Sequence, residues 1–125
     1  MGEEKDEIEK PDYGRVVNEE GRQLPDDIRY MAVLAALIGC QGVDEYRVIV
    51  PKAIEAGLSP VVVKEIVYQS VDYMGIGRSL PFLVTVNEIF IELGIALPLD
   101  GQAMTTTKDR LEKGVQTQVE IFGDA

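Results

Sequence analysis

The sequence predicts an all-α domain, and three observations support that prediction. Apolar residues recur at helical spacing in five stretches, Gly and Pro mark the boundaries between them, and no alternating strand pattern of useful length appears. With 125 residues, the chain is long enough for one modest core. Residues 1–12 are acidic and lack a sustained apolar pattern, so we expect a flexible tail there and a single helical domain over 13–125.

The composition narrows the classes of function. A net charge of −10 disfavours nucleic acid and anionic membranes as partners. One cysteine excludes an intrachain disulfide framework, and the acidic N-terminus does not resemble a signal peptide, so we expect a cytoplasmic protein. The chain has no histidine, which removes the usual base at neutral pH and the common zinc ligand. We therefore predict neither a metal nor a cofactor.

The first two helices carry most of the early apolar residues. Pro25 and Asp26 open the first helix, and 28–38 is apolar on nearly all sides, which is typical of a helix buried centrally or between subunits. The second helix is predicted from Asp44 to Ala56. Pro51 lies inside it, so we expect a kink or an early break there.

The third helix is the best defined. Gly57 can close the preceding helix in a left-handed conformation, and Ser59 with Pro60 can cap the next one. Its predicted buried face is apolar and consists of Val63, Ile66, Val67, Val71 and Met74. A second row is polar and faces water, a cleft or another subunit; it consists of Glu65, Gln69 and Tyr73.

Two more helices complete the prediction. Ser79 is expected to cap a helix over Leu80–Leu93, which is apolar on a second side as well. A connector rich in Pro and Gly follows over 95–104. Residues 105–107, all Thr, are expected to cap a last helix, whose apolar residues are Leu111, Val115, Val119 and Phe122.

The middle of the chain resembles the carboxymuconolactone decarboxylase family. The matching residues, in the order and spacing of the family, are Ala53, Ile54, Gly57, Leu58, Ser59, Glu65, Ile66, Gln69, Tyr73 and Gly75. The resemblance covers about Leu24 to Leu93, although Gly77 stands where the family has Pro. It implies the alkylhydroperoxidase D-like fold, a homotrimer or a homohexamer built from dimers, and a small carboxylate or lactone metabolite as ligand.

The catalytic positions of that superfamily do not match. The Glu, the two Cys and the His of its peroxidase members fall on Tyr30, Gly42, Glu45 and Ile49. Thiol peroxidase chemistry by that route needs a second sulfur to resolve the oxidised first one. The His that decarboxylase members usually retain is Ile49 here, so neither activity transfers residue by residue.

The candidate site residues each have two interpretations. Glu45 could move a proton or be a surface carboxylate. Arg78 could hold a ligand carboxylate through its planar fork, or form a structural pair with Asp72 or a backbone carbonyl. Cys40 could be a reactive thiol, but free Cys is among the most buried residue types, which favours a small buried residue, and its place at a helix end argues against a lowered pKa.

Polar and aromatic residues complete the candidate ligand site. Tyr73, Gln69 and Tyr46 could bind a ligand, while the two tyrosines could equally be partly buried and hydrogen-bonded core residues. Two functions remain open. One is a decarboxylase-like protein that acts on or binds a small carboxylate or lactone. The other is a non-catalytic oligomeric binding or scaffold protein. Both predict a homo-oligomer, because 28–38 and 80–93 have more apolar faces than one chain of this size readily covers.

Overall fold

A computed structural model describes Arg15, Glu19 and residues 21–124. Residues 21–124 contain five α-helices and no strand, so the all-α prediction is confirmed. The helices are α1 (Asp26–Gly39), α2 (Val43–Glu55), α3 (Pro60–Met74), α4 (Ile76–Glu92) and α5 (Arg110–Phe122). The predicted acidic tail over 1–12 lies outside the described residues. Within that described part, no helix is long and apolar enough to cross a bilayer.

Helices α1 to α4 form a ring in which each helix packs against two others. Helix α1 contacts α2 and α3, and α4 contacts the same two helices from the other side. The apolar stripe of each helix turns inward, which is how a helix bundle buries its core. At the centre, the rings of Tyr46 and Phe82 meet edge to face with centroids 5.1 Å apart. Phe90 and Val86 are also fully buried there.

The turn between α2 and α3 forms as the sequence predicts. Gly57 has φ +99°, which a side chain would strain, and the amide of Leu58 donates to the carbonyl of Ala53. The hydroxyl of Ser59 accepts a hydrogen bond of 3.2 Å from the amide of Val61. This bond satisfies one of the free N–H groups at the start of α3.

Two predicted helix boundaries are wrong. Helix α4 begins at Ile76 and not at Leu80, because Gly75 reverses the chain at φ +79° and α4 starts directly after it. Ser79 therefore lies inside the helix, where it is buried and its hydroxyl lies 2.8 Å from that of Ser70 on α3. The break expected at Pro51 is absent, because α2 continues through it while both sides remain packed in the core.

Helix α1 is less buried than its sequence suggests. Only Leu34 and Ile38 are buried, and Ile28, Ala32 and Ala36 are exposed. Two packed neighbours cover only one stripe of a helix, so burial on all sides is wrong for the single chain. Burial between subunits stays a prediction.

Helix α5 stands apart from the ring. None of its residues is buried, and Leu111 and Phe122 are 79% and 81% exposed. The predicted Thr cap is also wrong in detail. The carboxylate of Asp109 accepts hydrogen bonds from the amide and hydroxyl of Thr106, at 2.6 and 2.9 Å, and the helix begins at Arg110.

Candidate functional site

The described residues form an open groove of about 600 Å³ between α1 and α3. Its walls are mainly apolar and are formed by Ala35, Ile38, Val61, Val62, Ile66 and Met74. This volume lies within the range of about 300–1,000 Å³ that is usual for ligand sites. The groove is therefore the principal candidate binding site of this chain.

The local sequence explains why a groove forms there. Three consecutive valines open α3, and successive helical residues point about 100° apart. Val63 turns into the core while Val61 and Val62 line the groove. On the opposite wall, the methyl side chain of Ala35 leaves space that a larger residue would fill.

The predicted polar row of α3 lies along this groove. Glu65, Gln69 and Tyr73 all line it. Water, a cleft or another subunit was expected beside this row, and in the single chain the row faces a cleft. Tyr73 is 89% exposed, so its ring is free to close over an occupant. Gln102 from the connector completes the rim, and Glu65 is the only charged side chain among the lining residues.

Tyr46 lies outside the groove. Its side chain has no solvent exposure, its ring packs on Phe82, and its hydroxyl has no hydrogen-bond partner among the described residues. Burial in these surroundings raises the pKa of the Tyr46 phenol well above its usual value. A ligand in the groove cannot reach Tyr46, so the predicted ligand-binding role does not fit this conformation.

Glu45 and Arg78 are also absent from the groove lining. Glu45 lies in the first turn of α2, where a carboxylate interacts favourably with the helix dipole. Arg78 is exposed in the first turn of α4. The structure therefore brings together Gln69 and Tyr73 from the predicted set, but neither the proposed proton carrier nor the proposed carboxylate clamp.

Cys40 corrects a prediction about burial. The residue is exposed at the C-terminal end of α1, and its thiol lies 3.6 Å from the carbonyl of Leu37. The chain turns sharply after it, with Gln41 at φ +63°, and this turn carries Cys40 out of the core. It does not line the groove.

The lining of the groove is better suited to binding a ligand than to catalysing a reaction. Its lining contains no cysteine and no cation, and its single carboxylate would repel an anionic ligand. In the part of the chain that the structure describes, no group of three or more His, Cys, Asp or Glu is placed to hold a metal ion. What the groove offers is apolar surface with amide, hydroxyl and phenol groups along one side.

Comparison with known proteins adds no assignment: no family profile, curated protein or solved structure was found to match the chain. The resemblance to the carboxymuconolactone decarboxylase family therefore stays a prediction. Sequence reasoning found the polar wall of the groove but missed its apolar wall, including Ala35 and Val62. The run of three valines was the available signal, since it cannot place all its members on one helix face.

Proposed function

We propose that this chain is a non-catalytic, self-associating helical binding protein of the carboxymuconolactone decarboxylase-like kind, and that the groove between α1 and α3 is its binding site. The groove itself supports the proposal. It combines a volume of about 600 Å³ with mainly apolar walls, and its lining holds no cysteine and no cation. Catalysis of the family type needs groups that this lining lacks.

Self-association follows from the distribution of apolar side chains. Within residues 21–124, sixteen large hydrophobic residues are exposed and thirteen hydrophobic residues are buried. Soluble monomers rarely expose contiguous apolar patches larger than a few hundred Å². Nine of the sixteen lie on two helices, so α4 and α5 both have uncovered apolar faces: Ile76, Leu80, Val84 and Ile91 on α4, and Leu111, Val115, Val119, Ile121 and Phe122 on α5.

The groove proposal is tested with a neutral apolar fluorescent probe such as Nile red. Ala35→Glu adds four heavy atoms to the groove, three of which form a carboxylate, and should lower probe binding several-fold. Ala36→Glu is the matched control, because Ala36 is an exposed neighbour on α1 that does not line the groove. Equal probe binding by the two variants, at a dilution where light scattering shows both to be monomeric, would contradict the proposal.

A small neutral lactone is a candidate ligand for the groove. Gln69 and Tyr73 favour it, since they place an amide and a phenol on the wall of an otherwise apolar groove. Glu65 disfavours the carboxylate ligand that the family resemblance implies, because two like charges would meet in the groove. Of the two metabolite classes, the groove therefore fits the lactone better.

Thermal shifts separate the two ligand classes. A ligand at 100 times its dissociation constant stabilises the folded chain by about 2.7 kcal/mol. We expect such a shift with a neutral lactone and none with a dicarboxylate, and we expect Gln69→Leu to reduce it. A shift with the dicarboxylate that Gln69→Leu does not change would place the ligand elsewhere.

A further inference from the structure

We infer that the occupant of the groove is helix α5 of a second copy of this chain. This inference rests on the binding role proposed above for the groove. It begins with α5, which is a 13-residue helix with no buried residue. An isolated helix of this length is marginal in water, so packing against another surface must support it.

The exposed face of α5 has the pattern of a helix that docks. Leu111, Val115 and Phe122 follow one another at spacings of four and seven residues, which places them on one side of the helix. Val119 lies beside them and Gly114 narrows the adjoining edge. Amphipathic helices of this kind bind by laying such a face into an apolar groove.

The groove and the helix have matching lengths. The groove follows α3 from Val61 to Met74, which are 14 residues and about 20 Å at 1.5 Å per residue. Helix α5 has 13 residues and is also about 20 Å long. Its length and its apolar face therefore suit this groove.

Helix α5 does not occupy the groove of its own chain, since none of its residues is among the groove lining. Gln102 lines the groove, and two residues later the carbonyl of Met104 accepts a hydrogen bond of 2.9 Å from the ammonium of Lys113, in the first half of α5. Lys113 also pairs with Asp109 at 2.8 Å. These contacts fix the first turn of α5 on the connector, and the groove stays open to α5 of a second copy.

The area of the contact is sufficient for a stable assembly. Fully burying a Val, Leu, Ile or Phe side chain corresponds to roughly 60–120 Å² of apolar surface. The five large apolar residues of α5 would then bury about 300–600 Å², and the groove would bury a similar area. Each chain gives one helix and receives one, so a closed dimer buries roughly 1,200–2,400 Å², which spans the range of specific interfaces.

The experiment uses full-length variants and light scattering at micromolar concentration. Wild type should have at least twice the mass of one chain. Val115→Glu on α5 and Ala35→Glu in the groove should each be monomeric. Their matched controls should keep the wild-type mass: Thr117→Glu changes the charge of α5 outside its apolar face, and Ala36→Glu does the same on α1 outside the groove.

Mixing the two monomeric variants gives the decisive result. The Val115→Glu chain keeps an open groove and the Ala35→Glu chain keeps an intact α5, so the mixture should form a complex of two chains. A monomeric wild type, a Val115→Glu variant that keeps the wild-type mass, or a mixture that remains monomeric would each overturn the inference. A partner other than a second copy would appear as a monomeric wild type.

Hydrogen exchange on the wild-type oligomer provides a measurement that does not depend on any variant. The amides of residues 110–122 should exchange much more slowly in the oligomer than in a chain where α5 is exposed, and fast exchange there would overturn the inference.

Binding of the apolar probe distinguishes this inference from the proposed function. If probe binding depends on Ala35 while mass does not depend on Val115, the groove binds something other than α5 and the proposed function survives.

Discussion

Replacing Tyr46 by Phe should stabilise the protein. The Tyr46 side chain is fully buried, and its hydroxyl has no hydrogen-bond partner among the described residues. Burying a hydroxyl without a partner costs about 1–3 kcal/mol in protein mutational data. Phe keeps the ring, and therefore the edge-to-face contact with Phe82 at 5.1 Å, while it removes the unpaired group.

The expected gain is smaller than the full penalty. The void left by one oxygen atom is on the order of 10–15 Å³, and at about 24 cal/mol per Å³ it costs about 0.3 kcal/mol. The free energy of unfolding should therefore rise by about 1–2.5 kcal/mol. For a chain of this size, each kcal/mol corresponds to about 4 °C in Tm.

Urea denaturation at a fixed protein concentration is the appropriate assay, because self-association would make stability depend on concentration. Tyr73→Phe is the matched control. Tyr73 is exposed, so losing its hydroxyl should change the free energy of unfolding by less than about 0.5 kcal/mol. A Tyr46→Phe variant that is destabilised by 1 kcal/mol or more would refute the reasoning, since the hydroxyl would then have a partner in solution.

The same substitution should alter the response to alkaline pH. Burial raises the pKa of the Tyr46 phenol above its ordinary value of 10.0, so the folded chain keeps this proton when the unfolded chain releases it. The unfolded state then binds fewer protons, and stability falls as pH rises above about 10, by up to about 1.4 kcal/mol per pH unit. Wild type should lose this stability and Tyr46→Phe should not. Parallel curves for the two proteins above pH 10 would contradict the burial of the phenol.

Other substitutions test the remaining elements. Gly57→Ala should cost about 1–2 kcal/mol because φ is +99° there, whereas Gly77→Ala, inside α4, should stabilise by about 0.5–1 kcal/mol; equal effects in urea melts would be inconsistent with the turn. Phe82→Ala should lose about 3–5 kcal/mol by calorimetry, and a loss below 1 kcal/mol would argue against its central position. Arg78→Lys should leave both stability and lactone binding unchanged, and weaker lactone binding would return Arg78 to the site. Cys40 should react with a thiol reagent in the native protein, and labelling only after denaturation would contradict its exposure.

The sequence predicted the helices well because the relevant physics is local. Helical spacing and the Gly57 and Ser59 signals depend on residues within one turn of each other, so they can be read without tertiary information. The start of α4 was mispredicted because Ser79 has a good capping side chain. Its hydroxyl is instead paired with that of Ser70, a residue on another helix. A contact between helices has no signature within either helix alone.

The candidate site was predictable only in part, for a similar reason. The spacing of Gln69 and Tyr73 placed them on one face of α3, and that face does line the groove. Tyr46 and Arg78 were assigned to the candidate site because of their residue type. Residue type does not determine how deeply a side chain is buried. Tyr46 lies in the core because α4 brings Phe82 against it, whereas Arg78 lies in the exposed first turn of that helix.

We expect the stability of this protein to depend on its concentration, because α5 exposes apolar surface that the proposed association would bury. The ring of α1 to α4 has a closed set of buried residues, so it can fold within one chain. Helix α5 adds no buried residue. Within a single chain, its exposed apolar surface therefore favours aggregation and does not stabilise the fold. The proposed contact with a second copy would reverse this, because burying α5 in a groove removes two apolar surfaces from water at one contact. Dilution below the dissociation constant should therefore melt α5 while the four-helix ring persists. Loss of ellipticity proportional to the 13 residues of α5, at constant near-ultraviolet signal from the core, is the observation that this argument requires.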